Sequence, residues 1–180
     1  MKSLTKTKIK KRLIKKSILV IAEGFRDTNF MKYLDSLYTR SNKLNVIVRN
    51  GLGGTATGIV QQAINTPGDY DKRVSVIDTD KSAKEMQCAY DLADENQILL
   101  IKNTPCIEAT LINSYSGDQY ETPKNTGSCK KIYEKKILKS NKIEGYSELR
   151  KIFPKKCLNE KRKTVSVLEE MISVMEGKVL

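Results

Sequence analysis

The amino-acid sequence predicts an α/β fold with a mainly parallel sheet flanked by helices, and three observations support this prediction. Four short apolar runs in the first 115 residues each end in a polar or glycine-rich stretch. The segments between these runs carry apolar residues at helical spacing. The runs are rich in branched aliphatic side chains, which is typical of strands that are covered on both faces. Strands and helices that alternate in this way build a parallel sheet between helices.

The predicted elements follow one another in a regular order. The predicted strands cover residues 17–22, 44–48, 74–77 and 97–101. The predicted helices begin at Thr28 with Asp27 or Thr28 as the cap, at Thr55 and near Met86, and two more include 132–138 and 164–175. The last helix has one apolar face, so we expect it to pack on the sheet.

The 180 residues suffice for one domain with a small appendage. We divide the chain into a basic N-terminal arm (1–16), an α/β core (17–115) and a basic helical C-terminal part (116–180). A polar, turn-rich stretch separates the core from the C-terminal part.

The net charge of +12 is unevenly distributed along the chain. Residues 1–16 carry 8 lysines and arginines and no acidic residue, and residues 124–163 carry 14 against 4 acidic residues. Residues 17–123 carry 10 against 14, so an acidic middle lies between two basic segments. This pattern fits a surface that binds a polyanion such as nucleic acid around an acidic centre. A solvated, lysine-rich surface without a partner is the alternative.

Several classes of site and location are excluded or disfavoured by composition. The chain has no histidine, which rules out Ser-His-Asp and Cys-His catalysis. Its four cysteines are scattered without a CxxC pair, so we expect reduced, structural thiols and no zinc site. A metal site would therefore use carboxylates and a hard cation such as Mg²⁺ or Mn²⁺. The apolar run at 18–22 is too short for a secretion signal or a membrane span, so we expect a cytoplasmic protein.

Acidic residues follow three of the four predicted strands. Glu23 follows the first strand, Asp78 and Asp80 end the third, and Glu108 lies beyond the fourth. The carboxyl ends of parallel strands meet at one edge of the sheet, where ligands of such folds bind. These carboxylates suit Mg²⁺, which takes oxygen ligands and keeps waters for exchange with phosphate oxygens. Each feature alone also fits a plain turn, a helix cap or a surface loop.

A glycine-rich loop follows the second predicted strand. Gly51, Gly53 and Ala56 formally match a dinucleotide-binding fingerprint, but that fingerprint belongs after the first strand. We therefore interpret Gly51, Gly53 and Gly54 as a loop that brings backbone N–H groups and a helix N-terminus to a phosphate. A flexible tight turn is the alternative.

Four motifs in this order resemble the RloB-like family, a branch of the Toprim-related proteins. They are IAEG, the glycine-rich loop, VIDTD and NTPCIE. The resemblance covers nearly the whole chain after the basic arm. It implies a Toprim-like fold, a small parallel sheet between helices that is shared by topoisomerases, primases, OLD-family nucleases and the maturase of 5S ribosomal RNA.

The resemblance also implies roles for single residues. In Toprim enzymes the strand-one glutamate is taken as general acid or base and the DxD pair as Mg²⁺ ligands. The matching positions are Glu23, which could also complete the metal site, and Asp78 with Asp80. Glu108 matches the glutamate of the Pro-Cys-x-Glu feature, and we expect it to hold or support the metal ion. RloB-like proteins are associated with anti-phage loci, often beside an ABC/AAA-type ATPase, which implies a nuclease effector with such a partner.

The sequence thus leads to a first hypothesis and two alternatives. The first is a Mg²⁺- or Mn²⁺-dependent phosphodiesterase that acts on DNA or RNA, with Arg26 and Lys81 binding the flanking phosphates. One alternative is a non-catalytic nucleic-acid-binding or regulatory module with the same fold. The other is a nucleotide-binding enzyme whose glycine loop holds a small ligand.

Overall fold

The structure, a computed structural model, describes residues 15–39, 43–117, 120–138 and 145–179. The predicted basic arm therefore lies outside the described residues except for its last two positions, and the second of these begins a strand. The four strands are β1 (Lys16–Ala22), β2 (Leu44–Asn50), β3 (Lys72–Asp78) and β4 (Leu99–Asn103). The first four helices are α1 (Phe25–Tyr38), α2 (Ala56–Asn65), α3 (Ala83–Glu95) and α4 (Ile107–Ser114). The helices α5 (Thr126–Ile132), α6 (Tyr146–Ile152), α7 (Lys155–Lys161) and α8 (Ser166–Met175) follow, and a π-helical segment, Tyr133–Leu138, directly continues α5.

The strands form one parallel sheet in the order β2-β1-β3-β4, which confirms the predicted fold class. Side chains of β1 alternate between the two faces of the sheet. Ile18 and Val20 pack with α1 and the C-terminal helices, whereas Leu19 and Ile21 pack with α2 and α3. Both faces are covered, as the continuous apolar runs predict.

The topology places a crevice between the carboxyl ends of β1 and β3. The chain leaves β1 through α1 on one face of the sheet and leaves β3 through α3 on the other face. The loops after β1 and β3 therefore turn toward opposite faces of the sheet and open a gap between these two adjacent strands. Ligands of open α/β sheets bind in such a gap. The acidic residues predicted from the first and third strands therefore come from the two strands that flank this gap.

The C-terminal helices share one hydrophobic core with α1. The last helix, α8, packs against α1 and β4, which confirms the predicted docking on the sheet. The Tyr33 hydroxyl donates a 2.6 Å hydrogen bond to the Phe153 carbonyl, and both buried rings pack against the Phe30 ring. This packing fixes the C-terminal part relative to the helix that begins at the crevice.

Several predicted elements differ from the structure: β4 covers 99–103 and not 97–101, α8 begins at Ser166 and not at Thr164, and α4, α6 and α7 were not predicted. Helix α1 begins at Phe25 with Gly24 as its N-cap, so the prediction of Asp27 or Thr28 as the cap is wrong. Asp27 instead lies in the first turn with its side chain buried, and the Thr28 hydroxyl donates back to the Gly24 carbonyl at 2.8 Å. Helix α4 was not predicted, because its eight residues are too few for a clear apolar period.

The four cysteines are free thiols, as predicted, and Cys106 and Cys129 are buried in the core. None of the helices in the described ranges has the length and apolar character that crossing a membrane requires.

Candidate active site

A cleft of about 460 Å³ opens between the carboxyl ends of β1 and β3. Its walls come from the loop after β1, the first turn of α1, the end of β3, the start of α4, and α5 with its π-helical continuation. The lining residues are Glu23, Gly24, Phe25, Arg26, Asp27, Asn29, Gly53, Asp78, Ile107, Glu108, Lys130 and Glu134. Five of them are carboxylates. Glu134 belongs to the π-helical segment, and the other four come from the α/β core and lie up to 85 positions apart in the sequence, so the topology brings them together.

Glu23 is held against the end of β3 by its side chain and its backbone. Its carboxylate oxygen Oε2 accepts a 2.9 Å hydrogen bond from the Asp78 backbone N–H. Its own N–H donates to the Val76 carbonyl at 3.0 Å. The residue is only 8% exposed, so its carboxylate is fixed at the floor of the cleft. The structure thus places Glu23 and Asp78 side by side, as their positions after neighbouring strands predict.

Asp78 joins the sheet to the N-terminus of α4. Its oxygen Oδ1 accepts a 3.0 Å hydrogen bond from the N–H of Ile107, the first residue of that helix. Burial, together with the negative charges of Asp27 and Glu23, raises the pKa of Asp78 to about 8. A positive charge in the cleft would therefore stabilise the ionised form of the Asp78 carboxyl group.

Asp27 is a further member of the site that the sequence did not identify. It is 3% exposed, and the Asn103 side-chain amide donates a 3.3 Å hydrogen bond to its Oδ1. The Thr110 hydroxyl in turn donates to Asn103 Oδ1 at 2.8 Å, which fixes the orientation of the amide. Burial, together with the charge of Glu108, raises the pKa of Asp27 to about 7. The sequence did place Asp27 shortly after Glu23, which ends the first strand. A role as the helix cap explained this position equally well.

Glu108 lies in the first turn of α4 and not in a surface loop. Its side chain is buried, and one oxygen, Oε1, forms a short ion pair with Arg26. The other oxygen, Oε2, is buried and has no hydrogen-bond partner among the residues that the structure describes. A buried carboxylate oxygen without a partner is costly, and a cation or a ligand donor in the cleft would remove that cost.

Arg26 connects the core to the helical C-terminal part. Its guanidinium contacts Glu108 and, at 3.2 Å, Glu134 of the π-helical segment, and it lies 5.2 Å from the centre of the Tyr133 ring. We predicted Arg26 as a contact for substrate phosphate. The structure instead places it in an internal network at the wall of the cleft, where it also partly neutralises Glu108.

Asp80 and Lys81 lie at the edge of the cleft and face a neighbouring depression. The Asp80 side chain is more exposed than that of Glu23, and its Oδ2 accepts a 2.8 Å hydrogen bond from the Thr126 hydroxyl. Lys81 Nζ lies 3.0 Å from Glu23 Oε1 and 3.6 Å from Asp80 Oδ1. The cap of α3 is Ser82, whose hydroxyl accepts from the Glu85 N–H at 3.2 Å, so capping does not account for Asp80.

The glycine loop packs tightly against the end of β1. The Gly51 N–H donates to the Ala22 carbonyl at 2.7 Å, and the Gly53 N–H donates to the Glu23 carbonyl at 2.8 Å. Gly53 and Gly54 are exposed and have positive φ angles of 74° and 111°. Gly53 lines the cleft, whereas Gly51 is buried and serves close packing.

Two backbone N–H groups at the N-terminus of α2, the helix that follows this loop, already donate hydrogen bonds within the protein. The Ala56 N–H donates to the Glu85 carboxylate at 2.8 Å, and the Gly58 N–H donates to the Thr55 hydroxyl at 3.0 Å. The predicted use of this helix terminus for phosphate binding would require Glu85 to move. The loop therefore shapes the cleft mainly through Gly51 and Gly53.

We expect Gly51→Ala to destabilise the protein by about 1–3 kcal/mol. A β-carbon at this position would lie 2.4 Å from Ile59 Cδ1 and 3.1 Å from the Ala22 carbonyl oxygen. Denaturant unfolding measures the change. Gly127→Ala is the matched control, because the added carbon meets only one ordinary contact at 3.8 Å within α5 and should stabilise the helix slightly. Equal stability of Gly51→Ala and the parent would contradict the tight packing of the loop.

The predicted three-residue metal site is not preformed. Within the described ranges, no three histidine, cysteine, aspartate or glutamate side chains lie together in an arrangement that could hold a metal ion. Glu23 and Asp78 adjoin each other, but Asp80 contacts Lys81 and Thr126 instead. The donor chemistry nevertheless fits a hard divalent cation, because Glu108 Oε2 is buried without a partner and because burial and the neighbouring carboxylates raise the pKa of Asp78.

The chain matches no protein-family model, no curated protein and no solved structure. The resemblance to the RloB-like family therefore stays a prediction.

Proposed function

We propose that the protein is a Mg²⁺-dependent nuclease that hydrolyses phosphodiester bonds in DNA or RNA. The observation that carries this proposal is the meeting of Glu23, Asp27, Asp78 and Glu108 at one cleft between the carboxyl ends of β1 and β3. Hard oxygen donors at such a crevice are the usual means of holding Mg²⁺ beside a phosphate. We also propose that the α/β core is Toprim-like and, from the resemblance, that the protein is an anti-phage effector with an ATPase partner.

The residues of the cleft divide into two roles in this proposal. Asp78 and Glu108 would hold the cation, with Asp27 behind them and Asp80 at the edge. A bound Mg²⁺ supplies charge neutralisation at the scissile phosphate and lowers the pKa of a water molecule. Glu23 is fixed by the Asp78 N–H and can accept the proton of the attacking water.

The surface next to the cleft supplies positive charge for the nucleic-acid backbone. Lys130 lines the cleft, and the exposed lysines that surround it on α5 and the π-helical segment are Lys131, Lys135 and Lys136. Glu134 is the acidic residue of this surface and is bound to Arg26. Because Glu134 is paired with Arg26, it does not pair with these lysines. The lysines would contact phosphates on either side of the cleft.

The nucleotide-binding alternative has less support than the nuclease proposal. A small nucleotide would need free N–H groups at the glycine loop and the N-terminus of α2. Side chains of Glu85 and Thr55 and the carbonyl of Glu23 already accept from these groups. The non-catalytic alternative does not explain why a buried carboxylate oxygen of Glu108 lacks a partner beside three other acidic residues.

Incubation of the purified protein with Mg²⁺ or Mn²⁺ and a panel of nucleic acids tests the proposal. The panel should contain plasmid, single-stranded DNA and transfer RNA, with EDTA in matched reactions. We expect cleavage of at least one substrate that EDTA abolishes. Salt-sensitive binding of the panel without any divalent-dependent cleavage would favour the non-catalytic alternative.

We expect Lys130→Ala to lower the salt dependence of nucleic-acid binding. Each lysine that contacts a phosphate displaces about one counterion, so the slope of log K against log salt should become shallower by about 1. Binding titrations at several salt concentrations measure the slope. Lys72→Ala is the matched control, because Lys72 is the first residue of β3 and lies at the opposite end of that strand from the cleft. Equal slopes for Lys130→Ala and the parent would show that the strand does not pass α5.

A further inference from the structure

The ammonium group of Lys81 lies between two of the acidic residues that the sequence predicts as metal ligands. Its Nζ is 3.0 Å from Glu23 Oε1 and 3.6 Å from Asp80 Oδ1. The side chain is about one quarter exposed, so the amine can reach solvent without a change in the backbone. Lys81 thereby places a positive charge between Glu23 and Asp80 at the edge of the cleft.

The position of Lys81 follows from the way the chain leaves β3. β3 ends at Asp78, and Ser82 caps α3 four residues later, which leaves a short loop between them. The loop keeps the Lys81 backbone near the end of β3, and the long side chain reaches across to Glu23 beyond β1. The two carboxylates within 4 Å of the amine, those of Glu23 and Asp80, favour its charged form.

Lys81 differs from Arg26, the other cation that binds a carboxylate of the cleft. The Arg26 guanidinium contacts both Glu108 and Glu134 and stacks over Tyr133, so several interactions hold it. Lys81 has a flexible stem and a compact, strongly hydrated charge, which leaves an ion pair more readily than a stacked guanidinium does. Of these two cations, Lys81 is therefore the one that an incoming ion can displace.

We propose that Lys81 is a resident counter-ion of Glu23 that a divalent cation must displace before the site is complete. This inference rests on the proposed function, since it concerns the same cleft. In the ligand-free protein, the Lys81 ammonium neutralises Glu23 and holds Asp80 at the edge. When a divalent cation binds, Lys81 leaves Glu23, which becomes free to act, and the released amine is available to a substrate phosphate. Lys81 thus sets how tightly the site binds the metal.

Calorimetric titration of Mn²⁺ into the full chain, without nucleic acid, tests the inference. Lys81→Met removes the competing charge and keeps the length of the side chain, so we expect Mn²⁺ to bind about tenfold more tightly. Lys81→Gln should show the same direction, which protects the test against a folding defect of one variant. Lys81→Arg keeps a cation and should bind Mn²⁺ as the parent does. Lys84→Met, an exposed position in the first turn of α3, is the control for net charge.

The possible outcomes separate this inference from the proposed function. Tighter binding in Lys81→Met and Lys81→Gln, with Lys81→Arg and Lys84→Met unchanged, supports the displacement. Unchanged or weaker binding in Lys81→Met and Lys81→Gln, when the parent does bind Mn²⁺, overturns it and leaves the metal-dependent proposal intact. Failure of the parent and of all variants to bind Mn²⁺ or Mg²⁺ overturns both.

Discussion

Asp78→Asn should reduce divalent-dependent cleavage by at least about 100-fold, because a central ligand of the proposed cation loses its charge. The substitution is conservative for the fold. The asparagine side-chain oxygen can still accept the hydrogen bond from the Ile107 N–H, and the Asp78 backbone N–H still donates to Glu23. Initial cleavage rates on the best substrate of the panel measure the loss.

Asp80→Asn provides the informative comparison, because the sequence treats the two aspartates as equal members of a DxD motif. In the structure Asp80 lies outside the cleft lining and contacts Lys81 and Thr126. We therefore expect a smaller loss, roughly tenfold, as for a residue that supports a metal site from outside. Equal losses for the two variants would show that Asp80 turns into the cleft when the cation binds. A fully active Asp78→Asn would contradict the assignment of the site.

Asp27→Asn should make the protein more stable at pH 8 and leave its stability unchanged near pH 4. The folded-state pKa of Asp27 is raised from 3.8 to about 7, so the folded protein holds a proton that the unfolded chain has released between these values. The contribution of Asp27 to stability is complete below pH 4 and is lost as the pH rises through 7. At about 1.4 kcal/mol per pH unit, the loss is on the order of 4 kcal/mol.

The asparagine avoids this loss because it cannot ionise. Its oxygen can still accept the hydrogen bond from the Asn103 amide, so the buried contact is kept. Denaturant unfolding at pH 4, 6 and 8 compares the variant with the parent, whose free energy of unfolding should fall across this range. Asp94→Asn, an exposed position on α3, is the control and should follow the parent. A parent protein that gains stability from pH 4 to pH 8 would contradict the crowding of carboxylates at the cleft.

The sheet and its acidic edge could be predicted from the sequence because each depends on local patterns. The branched apolar runs mark β1 to β4, and the parallel order brings the residues after β1 and β3 together whatever their distance in sequence. Glu23 and Asp78 therefore meet as expected. The fold class does not, however, determine the rotamers of the side chains that follow these strands.

The parts of the site that were not predicted depend on tertiary contacts. Glu108 was predicted as a member of the site, but its place in the first turn of a helix was not, because α4 begins at Ile107, whose N–H donates to Asp78. Asp27 is buried in the first turn of α1, where the side-chain amide of Asn103 from β4 donates to it. The binding of Arg26 to Glu134 requires the fold of the C-terminal part, 108 residues further on. None of these pairings leaves a periodic signal in the sequence.

The most direct test of the central claim is the Mg²⁺-dependent initial rate of nucleic-acid cleavage by the parent protein and by Glu23→Gln, purified in parallel. Glu23 is fixed at the floor of the cleft by Asp78, and glutamine keeps an oxygen that can accept the same hydrogen bond. Cleavage by the parent should require Mg²⁺ or Mn²⁺, and the rate for Glu23→Gln should be at least about 100-fold lower. Equal cleavage by the two proteins, or cleavage that persists in EDTA, would contradict it.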